Sequence, residues 1–417
     1  MYRMLKTLID VAALALALAL SMSSAFAAAA IPFALCVDMT KSYPFISVPY
    51  VQGVRDYAAL VNSKGGIEGH PVEIIVREHG NEPQRGIECY ERVKDRAVTV
   101  DFLSTPVARG VLPRAMKDGK VMIQAIAGRG DAVDGEVFEW VFPLGATYWG
   151  QAANIVSYFK KQSGGSLKGK KLAFLHLDHP FSYEPLPVLQ ELQKREGFEL
   201  QLFPYPPPGS DQSSAWSQIR RSQPDLIVHW GFSQMNVVLA KEAVRSGFPM
   251  DKIITVSFLN DVDINSIGLE AAKGIRRSTI VASGTEQALV AEIGRELYDK
   301  GKGTGDRKLL SDVYYANGLG VYAPVFEAAR LAIRSDKAPL TAEKMRKGLR
   351  SLRNYDANGL IPALTVTAKD HSGGGKTRIE MWDGAKWVPQ SDWFSDYTDL
   401  VWSTVKQHSG EFVKSGK

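Results

Sequence analysis

The stretch "NSKGGIEGHPVEIIVREHGNEP", residues 62–83, decides the fold of this chain. Just before it, apolar residues recur at helical spacing from Val51 to Val61, which predicts one buried face of a helix. Gly65 and Gly66 suit the end of that helix, because glycine adopts the left-handed conformation without strain. "VEIIVRE" then predicts a buried strand, and "NEP" ends it ahead of another helical segment. A strand placed between two helices in this way is typical of a parallel sheet.

The same alternation of strands and helices continues along most of the chain. Apolar runs such as "VTVDFLS", "KKLAFLHL" and "DKIITVSF" alternate with amphipathic segments, which indicates parallel sheets covered by helices on both faces. A chain of 417 residues is too long for one hydrophobic core. We therefore expect an α/β fold with two doubly wound parallel-sheet lobes. The tail differs, since "TRIEMWDGAKWVP" predicts a hairpin around Asp383 and Gly384, and a closing helix follows it.

Composition and the N-terminus narrow the class of protein. The chain is 45% apolar and 23% charged, and its net charge of +5 forms no clustered basic stripe, so nucleic acid is not an expected partner.

Arg3 and Lys6 precede an apolar run at residues 11–20, and small residues up to Ala27 complete a secretory signal peptide over residues 1–27. A membrane anchor is the alternative, but the apolar run is short for a bilayer span of about 20 residues. The mature protein is therefore expected outside the cytoplasm.

The two cysteines, Cys36 and Cys89, allow two interpretations. In an oxidising compartment they can form a disulfide. Two buried thiols fit the sequence at least as well, with Cys36 inside the first predicted strand. The sequence leaves both interpretations open.

Loops after the strands are the candidate ligand-binding segments, because ligands of open parallel sheets bind beyond the carboxyl ends of the strands. Ser104 and Thr105 lie between a predicted strand and a helix, where they suit an anion or carboxylate; a plain helix N-cap is the alternative. Arg129 in "AGRGDA" is either a fixed cation for a ligand carboxylate or a surface arginine beside a glycine turn. Aromatic residues in such loops predict an apolar pocket. They are Tyr43, Phe45, Tyr148, Trp149, Tyr183, Trp230 and Phe232.

Other motifs carry weaker signals. "GGSLKGKK" has the glycine spacing of a phosphate-binding loop, but Lys171 stands where Ser or Thr would hold magnesium, and a strand follows the segment rather than preceding it. "HLDH" places His176, Asp178 and His179 at a strand end, and we favour a polar loop at a cleft rim over a metal site. No nucleophile is matched to a base in a G-x-S-x-G motif. We predict no catalytic residue, no metal and no cofactor.

The segment "GGIEGHPVEIIVREHGNEP" resembles the glycine-turn-strand signature of periplasmic solute-binding proteins of the branched-chain amino acid (leucine/isoleucine/valine-binding) type, which serve ABC importers. "DFLSTPVARGVLPRAMKDGKVMIQAIA", "HPFSYEPLPVLQELQKREG", "WGFSQMNVVLAKEAVRSGF" and the "MWDGAKWVP" hairpin resemble later elements of that family in the same order. The resemblance implies the type I periplasmic-binding fold, with two lobes joined by three crossovers. It implies an N-terminal lobe of residues 28–144 and 283–355, and a C-terminal lobe of residues 145–282 and 356–417 with the terminal hairpin and helix.

The resemblance also implies positions for the binding site. The family's hydroxyl, backbone and aromatic positions fall on Ser104 or Thr105, near Ala127 and Gly128, and near Phe45, Tyr183 and Phe232. Two departures from the family stand out: Gly128 has no hydroxyl, and the glutamate that binds a ligand ammonium is missing near residues 259–261, where Asp261 is a candidate substitute. These departures argue against a plain branched-chain amino acid. Together with Arg129 and the aromatic residues, they favour a small carboxylate, with an aromatic one as a candidate.

The implied function is that of the periplasmic, substrate-binding component of an ABC importer. It would capture a small organic solute, such as an amino acid, an amide or a small carboxylate, in the cleft between the lobes. The expected partners are a membrane permease and its ATPase, and the expected state is a monomer. The alternatives are a ligand-sensing module that reports to a receptor or regulator and, less favoured because a nucleophile–base pair is missing, a secreted hydrolase.

Overall fold

A computed structural model of the chain describes residues 28–415 apart from residues 125 and 127. The predicted signal peptide, residues 1–27, and the predicted site residue Ala127 lie outside the described residues. Among the described helices, none is both long and apolar enough to span a bilayer.

Two sheets form the framework. The first contains β1 (Ile31–Val37), β2 (Val72–Glu78), β3 (Thr99–Asp101), β4 (Val121–Ile123) and β5 (Val141–Phe142), in the spatial order β2-β1-β3-β4-β5. The second contains β6 (Lys171–Leu177), β7 (Glu199–Tyr205), β8 (Leu226–Trp230), β9 (Ile253–Thr255), β10 (Arg276–Thr279), β11 (Arg378–Trp382) and β12 (Trp387–Pro389), in the order β12-β11-β10-β9-β8-β6-β7. Neighbouring strands pair in parallel, except that β11 pairs antiparallel with β10 on one side and with β12 on the other. The predicted α/β fold and the predicted terminal hairpin are confirmed.

Helices surround these sheets. They are α1 (Pro44–Ser63), α2 (Pro83–Val93), α3 (Thr105–Asp118), α4 (Tyr148–Gln162), α5 (Pro180–Tyr183), α6 (Leu186–Glu196), α7 (Ser213–Ser222), α8 (Gln234–Ser246), α9 (Asp261–Ile267), α10 (Ala288–Ile293), α11 (Val313–Asp336), α12 (Ala342–Arg350) and α13 (Thr398–Lys414). Short 3-10 turns occur at Gly130–Val133, Met250–Lys252 and Arg307–Ser311.

The stretch at residues 62–83 folds as the sequence predicts. Helix α1 ends at Ser63, and Gly65 and Gly66 follow with φ angles of +95° and +80°. A Cβ at Gly66 would collide with the backbone of His70, so this turn requires glycine. Strand β2 then begins and pairs with β1 along its full length.

The chain crosses between the sheets three times: after β5, after β10 and after α12. Helix α11 packs against α1, and α12 packs against α11, so the helices that follow the second crossing return to the first sheet. We call the first sheet with α1–α3 and α10–α12 the first lobe. We call the second sheet with α4–α9 the second lobe.

The terminal helix α13, which the resemblance assigns to the C-terminal lobe, contacts both lobes. Its first turn pairs with α6, where Arg195 Nη1 lies 2.7 Å from Asp399 Oδ2. Near its end, Ser409 Oγ donates to Asp134 Oδ2 of the first lobe at 2.7 Å. Phe412 is buried against Phe138, with their ring centroids 4.8 Å apart. The helix therefore bridges the two lobes.

A disulfide joins the two cysteines of the first lobe. Cys36 of β1 and Cys89 of α2 are bonded, with their Cα atoms 6.2 Å apart. The bond closes a loop with a sequence separation of 53 residues, and such bonds stabilise chiefly by restricting the unfolded chain. The structure thus selects the disulfide from the two alternatives that the sequence leaves open.

Candidate ligand-binding cleft

Segments that follow β1, β3, β4, β5, β6, β8 and β9 converge on one pocket between the lobes. The space between its lining atoms is about 350 Å³, part of it open to solvent. The lining residues are Tyr43, Ile46, Leu103, Ser104, Thr105, Ile126, Tyr148, Phe181, Phe232 and Phe258. Five of them are aromatic, three are aliphatic, the other two are Ser104 and Thr105, and none carries a charge.

The hydroxyls of Ser104 and Thr105 form the polar edge of the pocket. Ser104 is the N-cap of α3: its Oγ accepts from the Val107 N–H at 3.4 Å and donates to Asn81 Oδ1 at 2.6 Å. Thr105 Oγ1 accepts from the Gly128 N–H at 3.2 Å. The capping role and a place in the pocket therefore coexist at Ser104. The amino end of this 14-residue helix also favours negative charge nearby.

The loops that carry this polar edge have an unusual backbone. Leu103 and Ile126 have φ angles of +45° and +52°, a left-handed conformation that branched side chains rarely adopt. Asp101 holds the first loop, since its Oδ1 accepts from the Leu103 N–H at 3.2 Å and its Oδ2 from the Tyr50 hydroxyl at 2.7 Å. Complete burial raises the pKa of Asp101 to about 7, against the smaller opposing effect of the Tyr50 hydrogen bond. Such conformations cluster at ligand sites, where the surrounding structure fixes them.

Aromatic rings of the second lobe form the opposite wall. The centroid of Phe181 lies 5.4 Å from that of Phe232 and 6.2 Å from that of Phe258. Phe232 also meets two rings of the first lobe, stacking on Phe45 at 5.2 Å and contacting Tyr43 edge-on at 5.4 Å. Because rings of both lobes touch directly, the structure shows the cleft closed.

Tyr148 stands between the two walls at the start of α4. Its hydroxyl donates to the Ile126 carbonyl at 2.8 Å. Its ring lies edge-on to Phe181, Phe258 and, behind them, the fully buried Trp230. Tyr148 therefore links the polar loop of the first lobe to the aromatic wall of the second.

The structure brings several of the predicted site residues together. Ser104, Thr105, Tyr148 and Phe232 line the pocket, and Phe45 stacks on Phe232 beside it. Gly128 contributes through its N–H to Thr105.

Arg129, Tyr183 and Asp261 lie outside the pocket lining. Arg129 donates to both carboxylate oxygens of Asp131, at 2.8 and 2.6 Å, and its guanidinium lies 4.7 Å from the ring of Phe412 in the terminal helix. Asp261 accepts from Trp387 Nε1 at 2.8 Å. Both charges are thus engaged with the protein itself.

Tyr183 is 41% exposed, whereas Phe181, two residues earlier, faces the pocket. Along a helix, a step of two residues rotates the direction of the side chain by about 200°, so only one of Phe181 and Tyr183 can point into the cleft. Phe258 is the other aromatic residue of the pocket that the sequence pattern does not predict. The predicted strand "DKIITVSF" includes it, but β9 ends at Thr255 and leaves Phe258 in the loop.

The "HLDH" segment forms no metal site. His176 is buried and stacks on Phe174 at 4.8 Å, and burial lowers its pKa. Between residues 28 and 415, leaving out 125 and 127, no group of three or more His, Cys, Asp or Glu residues is placed to hold a metal ion.

Comparisons with known proteins agree with this geometry. The family model described as periplasmic binding protein matches residues 30–386. A crystal structure described as an ABC transporter permease from the Pseudomonas fluorescens group is 32% identical, covers 93% of this chain and 97% of that chain, and has a TM-score of 0.86. Among curated proteins, none matches this sequence.

Two more distant structures share the fold. A branched-chain amino acid ABC transporter from Thermus thermophilus with bound valine is 19% identical, covers 89% of this chain and 98% of that chain, and has a TM-score of 0.77. A fatty acid ABC transporter substrate-binding protein from Thermomonospora curvata is 21% identical, covers 89% of this chain and 93% of that chain, and has a TM-score of 0.72. At these identities the likeness concerns the fold alone.

Proposed function

Because the chain belongs to the periplasmic binding protein family, we propose that it is the substrate-binding component of an ABC importer and that it captures a small carboxylate without an ammonium group. The family has the type I periplasmic-binding fold of two lobes, and its members are extracytoplasmic substrate-binding proteins rather than enzymes. The observation that carries the choice of ligand is the pocket lining: two hydroxyls at a helix amino end face aromatic rings, with no charged side chain among them.

The polar edge supports a carboxylate head group. The hydroxyls of Ser104 and Thr105 lie at the amino end of α3, where the helix dipole favours an anion. An amide would bind the same hydroxyls but would gain nothing from the dipole. We therefore expect an acid to bind more tightly than its amide.

The absence of an acidic side chain from the lining argues against an amino acid. An ammonium group transferred from water into this pocket would lack an opposite charge, which is a costly arrangement. Two acidic side chains outside the lining are occupied, since Asp261 accepts from Trp387 and Glu184 pairs with Arg109. A ligand with the same carbon skeleton and no ammonium group avoids this cost.

The aromatic wall supports an apolar body for the ligand. Phe181, Phe232 and Phe258 offer ring faces and edges that pack against a benzene ring or a branched alkyl group. Because these rings belong to the second lobe, they cover the ligand only when the lobes close. A ligand that contacts both lobes favours the closed state by its differential affinity, and we propose that this state docks on the permease.

Matched pairs of acids and amino acids test the proposal. Thermal unfolding would be followed with 3-phenylpropanoate against phenylalanine, and with 4-methylpentanoate against leucine, because a ligand that binds only the folded state raises the melting temperature. The amide 3-phenylpropanamide completes the series. We expect the melting temperature to rise most with the acids, less with the amide and least with the amino acids. An amino acid that stabilises the protein more than its deaminated counterpart would overturn the choice of ligand.

The importer role needs a separate measurement. Cells that lack the gene should accumulate the isotope-labelled acid more slowly than the parent strain, and a plasmid copy should restore uptake. Normal uptake in the deletion strain, together with tight binding in vitro, would instead support the alternative of a ligand-sensing module.

A further inference from the structure

Glu184 makes a contact between the lobes that the proposed ligand site does not use. It follows α5 in the second lobe, and its side chain is 1% exposed. One carboxylate oxygen pairs with the guanidinium of Arg109 on α3 of the first lobe. The other accepts from the Gly130 N–H, at the start of a 3-10 turn of the first lobe, at 3.1 Å. The single carboxylate of Glu184 in the second lobe thus accepts hydrogen bonds from two donors of the first lobe.

We propose that Glu184 is a clasp that holds the two lobes closed and so sets the affinity and residence time of the ligand. The inference rests on the proposed function, because it concerns closure over the same pocket. When the lobes separate, Glu184 must leave both Arg109 and Gly130 for water. The clasp therefore stabilises the closed state and contributes nothing to the open one.

The donors of the clasp are coupled to the ligand site by their position. Arg109 lies four residues after Thr105 on α3, so the two side chains share one face of the helix. Gly130 lies two residues after Gly128, whose N–H donates to Thr105. Closing the clasp thus brings the second lobe onto the helix and loop that carry the polar edge of the pocket.

The energetics favour a modest effect. Burial raises the pKa of Glu184, which reflects the cost of removing a carboxylate from water, while the charge of Arg109 opposes that rise. Arg109 is 47% exposed, so solvent screens its half of the pair. A charge-assisted contact of this kind should change the ratio of closed to open molecules by roughly 3- to 10-fold.

The distance between the lobes tests the clasp without any ligand. Spin labels at Arg92→Cys and Gln218→Cys, both exposed helix positions on opposite lobes, would report that distance by pulsed electron resonance. We expect the ligand-free parent protein to populate the closed state, and Glu184→Gln to lower the closed-to-open ratio by roughly 3- to 10-fold. Unchanged distance distributions in Glu184→Gln would overturn the inference.

Further variants separate the clasp from general effects of charge and folding. Arg109→Met should open the lobes as Glu184→Gln does, whereas Arg109→Lys should keep them closed. Glu191→Gln removes the same charge from an exposed pair within α6 and should leave the distances unchanged. If Arg109→Met leaves the lobes closed while melting cooperatively, the contact is only structural and the inference fails.

Measurements with a ligand present distinguish a failure of this inference from a failure of the proposed function. With 3-phenylpropanoate present, Glu184→Gln should dissociate its ligand roughly 3- to 10-fold faster than the parent, since a closed state held less tightly reopens sooner. If the distances respond to Glu184→Gln but no acid binds, the clasp stands and the proposed ligand class is wrong. If acids bind but the distances and dissociation rates are unchanged, the ligand class stands and the clasp is wrong.

Discussion

The two lobes present different chemistry to the same pocket. The first lobe supplies hydroxyls and a helix amino end, carried on loops with left-handed residues. The second lobe supplies the rings of Phe181, Phe232 and Phe258. The contrast suggests a division of labour in which the first lobe fixes the head of the ligand and the second covers its body on closure.

The supports behind the two walls differ as well. Behind the polar edge, Asp101 ties the left-handed Leu103 to Tyr50 of α1. Behind the aromatic wall, the amide of Asn236 donates to the Phe258 carbonyl at 2.7 Å. The hydroxyl of Tyr314, from α11 of the first lobe, donates to the same carbonyl at 2.9 Å. The aromatic wall is thus held partly by the opposite lobe, whereas the Leu103 loop of the polar edge is held within its own.

The largest effect on binding is expected from Phe181→Ala. This change removes a ring from the centre of the aromatic wall, and the lost apolar contact should weaken binding of 3-phenylpropanoate about 10- to 100-fold. Stability should fall too, by about 3 kcal/mol, because the ring also packs against Phe232 and Phe258. Calorimetric titration and urea unfolding would measure the two effects separately.

Phe248→Ala is the matched control for this change. Phe248 packs edge-on against Trp216 in the same lobe, outside the pocket lining. The Phe248→Ala substitution should lower the stability of the protein while leaving its affinity for 3-phenylpropanoate unchanged. Equal affinities for the Phe181 and Phe248 variants would contradict the role given to the aromatic wall.

A smaller effect is expected from Thr105→Val, which keeps the shape of the side chain and removes the hydroxyl. Losing one hydrogen bond to the ligand head should weaken binding about fivefold, or about 1 kcal/mol. The Gly128 N–H also loses its acceptor, so a loss of stability of about 1 kcal/mol should accompany the change. The dissociation constant and the urea midpoint check both expectations.

Thr99→Val provides the comparison, since Thr99 is buried in β3 and its hydroxyl has no partner within the described part of the chain. It should neither weaken binding nor lower stability. If Thr105→Val binds the acid as well as the parent does, the hydroxyl does not belong to the site.

The sequence predicts the polar edge better than the aromatic wall, and the reason is physical. Ser104 and Thr105 follow a strand and begin a helix, and that local pattern alone directs them to the carboxyl end of the sheet. Phe181 and Tyr183 lie in one short segment, and their directions depend on where a four-residue helix begins. Local sequence patterns place such boundaries poorly, because the contacts that set them come from elsewhere in the fold.

Arg129 shows the same limit over a longer distance. Its glycine-flanked position suits a ligand carboxylate, but in the structure it pairs with Asp131 and lies against Phe412. Phe412 belongs to the terminal helix, which follows the second lobe in the chain and reaches the first lobe only in the folded protein. Asp131 lies in the same segment as Arg129, but nothing in the residues around Arg129 indicates the contact with Phe412, so its packing against the terminal helix could not be foreseen.

The smallest effect on ligand binding is expected behind the polar edge, where the change acts on the pH dependence of stability. Asp101 has a pKa of about 7 in the folded protein, against an ordinary value of 3.8, because it is buried. Between these values the folded state holds a proton that the unfolded chain has released, so this group lowers stability as pH rises from about 4 to about 7. Asp101→Asn removes that decline while leaving the ligand-facing hydroxyls in place. Urea unfolding would give the free energy of unfolding of Asp101→Asn minus that of the parent, and this difference should be more favourable to the variant at pH 7.5 than at pH 5. Asp95→Asn, at an exposed position, is the control, and its difference from the parent should be the same at both pH values. A stability difference between Asp101→Asn and the parent that is the same at both pH values would show that the carboxyl behind Leu103 does not titrate in this range.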